Sequence, residues 1–129
     1  MAEATQEDAH LVIELAQLGT RMVHPKARGW VWSDDFVSDP AEFFDKYPPG
    51  TEEFNYVTSL AGWHETIATL WKRGLVSEDL LFDWLWVAGM WDRLQGILLA
   101  MRERSGTTRL WENFEAMAEA QVGAAAAPA

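Results

Sequence analysis

The chain contains no cysteine, which excludes disulfides, thiolate metal sites and a cysteine nucleophile. Positive charge is scarce: 10 Lys and Arg stand against 20 Asp and Glu, for a formal net charge of −10. Such a field repels phosphate backbones, so no nucleic-acid partner is expected. No run approaches the roughly 20 apolar residues of a bilayer crossing, so no membrane span is expected. The opening MAEATQEDAH lacks the basic and apolar regions of a secretory signal, and with the missing cysteine this points to a cytoplasmic setting. Also missing are the Gly-x-Ser-x-Gly elbow, the Gly-x-x-x-x-Gly-Lys phosphate loop and the Gly-x-Gly-x-x-Gly dinucleotide fingerprint. No repeat of 20–50 residues is visible.

What is present is apolar and aromatic. Hydrophobic residues make up 49% of the 129 positions, enough for one packed domain and too short a chain for two comfortable ones. That domain is expected over 1–122, with GAAAAPA at 123–129 as a disordered alanine-rich tail.

The periodicity predicts an all-α chain: a four-helix bundle with an aromatic-rich loop and a short helix between helices 1 and 2. Leu11, Leu15, Leu18 and Met22 mark a first helix over 7–23, ended by His24-Pro25. The following 24–50 segment carries Trp30, Trp32, Phe36, Phe43, Phe44 and Tyr47. Within it, Asp39-Pro40-Ala41-Glu42 combines an N-cap, a first-turn proline and an N3 glutamate, predicting a short helix over 40–47. Thr51 with Glu52 and Glu53 opens the second long helix, and Gly74 closes it. Ser77 caps a third, expected to run unbroken to about Arg104. Thr107 or Thr108 opens a fourth.

The third helix raises the functional question. LLFDWLWVAGMW at 80–91 is too short for a membrane and apolar nearly all round. Leu80, Trp84, Val87, Trp91, Leu94, Leu98 and Met101 form one heptad seam. Phe82, Trp86 and Met90 fall on another side, and a helix with a surplus apolar face is either central or an interface element. Eight tryptophans in the chain suit both packing and interfaces.

Two other chemistries have candidates. A pocket beneath the 24–50 segment could be lined by Trp30, Trp32, Trp63 and His64 and take a small apolar or aromatic ligand. A metal-dependent enzyme would need His10, His24 and His64 to converge. Glu7-Asp8-Ala9-His10 is a single Glu-x-x-His match, whereas a di-metal bundle needs two. His64-Glu65 lacks the second histidine of a zinc-protease helix, since position 68 is alanine. No catalytic residue, metal ligand set or cofactor is therefore assigned. The charges are also uneven. Residues 33–53 hold seven carboxylates and one lysine, whereas Arg93, Arg102, Arg104 and Arg109 gather late; Arg93 and Arg102 are placed to meet Glu112 or Glu115.

The segment FNYVTSLAGWHETIATLWKRGLVSEDLLFDWLWVAGMWDRLQGILLAMRER followed by LWENFEAMAE resembles a family of small uncharacterised bacterial helical proteins. The shared features are an aromatic-rich helix and a turn of glycine, aliphatic, two residues and acid. A tryptophan helix ending in arginine and a closing Trp-Glu-x-Phe-Glu helix follow. The resemblance covers about residues 51–120, roughly half the chain. Members often follow a membrane segment, which is not read here. The resemblance implies a helical fold and brings no activity with it. The function expected is thus a non-enzymatic interaction or assembly protein, a homodimer joined through Phe82, Trp86 and Met90. The small-molecule binding module and the histidine-based metal enzyme are the alternatives.

Overall fold

The computed structural model describes residues 3–126, and all regular structure among them is helical. Seven helices stand where a four-helix bundle was expected: α1 (Gln6–Met22), α2 (Ala27–Val31), α3 (Pro40–Lys46), α4 (Glu52–Lys72), α5 (Glu78–Trp84), α6 (Val87–Ser105) and α7 (Glu112–Ala126).

Local chemistry sets most of the helix starts. Thr5 accepts from the Asp8 amide while the Asp8 carboxylate takes the Thr5 amide, a reciprocal capping box. Asp39, Thr51 and Ser77 each accept from the amide three residues on, opening α3, α4 and α5. The start of α7 is different. Trp111 adopts a left-handed φ of 64°, and the cap comes from another helix: the Glu65 carboxylate of α4 accepts from the Phe114 amide at 2.9 Å. Burial raises the Glu65 pKa, and the amide hydrogen bonds oppose that shift.

The central element is α4, which packs against α7, α2 and α1. Tyr56, Val57, Leu60, Ala61, Trp63, His64, Ile67 and Ala68 are buried along it. The expected third helix is not continuous. It breaks at Leu85, which is extended, and Trp86, which precedes α6. The reason lies in the apolar surplus. On an unbroken helix Leu81 and Val87 would point roughly 120° apart, given about 100° per residue. With the break, both are fully buried, and Trp84 packs edge-on to Trp63 at 5.9 Å. α6 then buries Met90, Trp91, Leu94, Ile97 and Leu98, packing mainly on α7.

Helix α7 continues through Gly123 to Ala126, so the first residues of the alanine-rich segment are helical. Residues 127–129 of the expected tail lie outside the described residues.

α1 crosses α4 closely. The Trp63 indole N–H donates to the Leu15 carbonyl at 2.9 Å, and its ring lies where a Cβ on Gly19 would sit, 2.9 Å from Cε2. Because Trp63 is buried and hydrogen-bonded, it cannot swing aside. Gly19→Ala should therefore lower stability by about 1–3 kcal/mol through overpacking, less about 1 kcal/mol of helix propensity gained. Urea unfolding midpoints check this, and a stabilised variant would mean that α1 can slide on α4.

Candidate functional site: an exposed aromatic corner

The α5–α6 break is held by a side chain from the far end of the sequence. The Gln121 amide nitrogen on α7 donates to the carbonyls of Leu85 at 2.8 Å and Phe82 at 3.4 Å. Its oxygen accepts from the Ala88 amide at 2.7 Å. One carboxamide thus satisfies main-chain groups on both sides of the break that a continuous helix would have paired.

At this break Trp86 turns outward and is 68% exposed, the highest value among the exposed large hydrophobic side chains. Its ring lies over Gly89, where a Cβ would come within 2.3 Å of it, so only glycine admits the indole there. The other face of the corner comes from the α2 side. Trp32, 47% exposed, stacks on Trp86 with rings 7° from parallel and centroids 5.8 Å apart, an offset stack.

Arg93 pins Trp32 in place. Its Nε donates to the Val31 carbonyl at 2.7 Å and its Nη2 to the Ser33 carbonyl at 3.1 Å, capping the end of α2. The guanidinium lies 4.6 Å from the Phe36 ring centroid and 5.6 Å from that of Trp32. Arg93 therefore serves main-chain carbonyls and not a fourth-helix carboxylate. Arg102 does find one, pairing with Glu115 at 2.9 Å.

Beside the corner, a groove of about 710 Å³ between α5 and the end of α7 is lined by Phe82, Trp86 and Val122, with Asp79 and Asp83 at its edge. Trp86 and Phe82 thus share a surface, whereas Met90 is buried in the core. The change of helix register at the break separates Met90 from the other two expected contact residues.

The four residues expected to line a ligand pocket sit in different surroundings. Trp63 and His64 are each only 1% exposed. The His64 Nδ1 lies 2.8 Å from the Leu60 carbonyl, to which it donates as Nδ1–H, and its ring stacks on Phe114 at 4.6 Å. Burial lowers its pKa from 6.5 to about 4. Trp30 alone of the four borders the open depression of about 720 Å³ under the 30–53 segment, whose other walls include Asp34, Asp35, Asp39, Glu42 and Glu53. Trp32 belongs to the corner.

The three histidines also part company. His10 is exposed, His24 meets Glu52 at 3.1 Å, and His64 is core. Among the described residues no group of three or more His, Asp or Glu is placed to hold a metal ion. No helix among them is long and apolar enough to cross a membrane.

The sequence reading missed α2, Gln121 and the stack. The Trp86-x-x-Gly89 spacing was the available signal for an indole folded back on a helix start. Comparison with curated proteins finds no match, and comparison with solved structures finds none either. The model of one protein family does match, over residues 4–121, a span that takes in α1, the aromatic segment and Gln121 as well as the 51–120 stretch. The chain belongs to the family described as a domain of unknown function, DUF4760.

Proposed function

We propose that the protein is a non-enzymatic interaction module, acting in the cytoplasm, whose contact surface is the Trp32–Trp86 corner and the groove beside it. The observation that carries this reading is a large aromatic side chain held outward by dedicated structure. Trp86 stays exposed although a glycine, a stacked partner and a glutamine-braced helix break all position it. Rigid, exposed tryptophans are the residues that supply concentrated binding energy at protein contacts. Arg93 fixes the stack from behind, so little conformational entropy remains to be lost on docking.

Trp86→Glu tests whether the indole serves the surface and not the core. The variant should keep the helical circular-dichroism signal and lose no more than about 1 kcal/mol, the scale of one aromatic pair. Unfolding of the variant would make Trp86 a structural residue and remove the ground for this reading.

A further inference from the structure

The groove beside Trp86 does not end at α7. A second hollow of about 270 Å³, lined by Ala88, Trp91, Asp92, Ala118, Glu119 and Val122, shares Ala88 and Val122 with it. Together the two form one apolar track across the start of α6 and the outer face of α7. Val122 stands 60% exposed between them.

The charges along this track have one sign. Asp79 and Asp83 border the larger hollow, Asp92 and Glu119 the smaller, and no Lys or Arg lines either. All four carboxylates are exposed, and none belongs to an ion pair among the described residues. Arg93, next in sequence to Asp92, is committed to the Val31 and Ser33 carbonyls on the Trp32 side.

We propose that this track seats an amphipathic helix of a different protein, with an apolar seam against Phe82, Trp86 and Val122 and Lys or Arg on its flanks. An apolar trough accepts the i, i+3, i+4, i+7 face of a helix, and a carboxylate rim selects cationic flanks and repels anionic ones. A second copy of this chain fits the track less well. Isologous pairing would gather two sets of these carboxylates around one contact, between chains that each carry −10. The inference rests on the corner being a contact surface, and it adds the chemistry of the partner.

Two synthetic helices of about 18 residues, with leucine at the seam positions and either lysine or glutamate elsewhere, test it. A scrambled lysine peptide controls for plain attraction to an acidic protein. Titrated calorimetrically, the lysine helix should bind at least about tenfold more tightly than the other two. Trp86→Glu should abolish the preference, Asp79→Asn with Asp83→Asn should weaken it several-fold, and Leu75→Glu should leave it unchanged. Equal binding of the lysine and glutamate helices overturns the proposal. So does no binding, equal binding of the scrambled peptide, or a wild-type dimer in light scattering that Trp86→Glu splits. If Trp86→Glu folds normally in any of those cases, the contact surface survives and only the cationic partner falls; if it unfolds, both fall.

Discussion

Acidification should weaken this fold by about 3 kcal/mol through a single side chain, His64, at about 1.4 kcal/mol per pKa unit. The buried imidazole takes up a proton only near pH 4, whereas its ordinary pKa is 6.5. Between those values the unfolded chain carries a proton that the folded chain refuses, so stability falls as pH falls. Burial is the main cause and the positive charge of Arg28 adds to it, against the Leu60 carbonyl, which favours the protonated ring. Glu65 works in the opposite sense, because a carboxyl whose pKa is raised in the folded state binds its proton more readily there. Comparison with His64→Leu isolates the histidine contribution. Urea midpoints at pH 7 and pH 4.5 should diverge strongly for the wild type and much less for the variant. Parallel loss in both proteins would show that other groups carry the acid sensitivity.

Gln121→Ala should cost about 2 kcal/mol or more, since leaving a buried main-chain donor or acceptor unpaired costs about 1–3 kcal/mol each. The amide of Ala88 and the carbonyl of Phe82 lose the Gln121 partner together, while the Leu85 carbonyl keeps the Val87 amide at 3.0 Å. Gln121→Glu separates hydrogen bonding from packing. It keeps an acceptor for Ala88 but turns a carboxylate oxygen toward the Leu85 carbonyl, so it should also destabilise near neutral pH. Amide hydrogen exchange should rise first at Ala88 and its neighbours. An unchanged melting curve in both variants would mean that the break holds itself without the clasp.

These two residues also show where sequence reading succeeds and where it stops. Asp39, Thr51 and Ser77 were legible because an N-cap acts within three residues, and the structure uses each as a cap. The all-helical class follows from the same local periodicity. The α5–α6 break carries no such mark. Neither glycine nor proline stands at Leu85–Trp86, and the group that completes the break lies on α7, 36 residues beyond Leu85. Helix α2 has no side-chain cap, and Trp111 takes a left-handed backbone without being glycine; both depend on tertiary surroundings. The contact residues divide in the same way. Trp86 was legible as aromatic surplus, whereas placing Met90 beside it assumed a register that the break changes. Trp63 and His64 look like ligand residues in isolation, yet α4 is so central that its buried face is wide enough to enclose both.

Trp86, 68% exposed, is proposed to be the contact residue for another protein. The most direct test replaces Trp86 with a photo-cross-linking phenylalanine derivative, with Leu75, 61% exposed, as the comparison position, in cells that make the protein. Position 86 should yield one discrete adduct heavier than the chain, its partner peptide carrying basic residues beside an apolar helical seam, and position 75 should yield none. The same adduct pattern from both positions, or no adduct from position 86, would contradict the account.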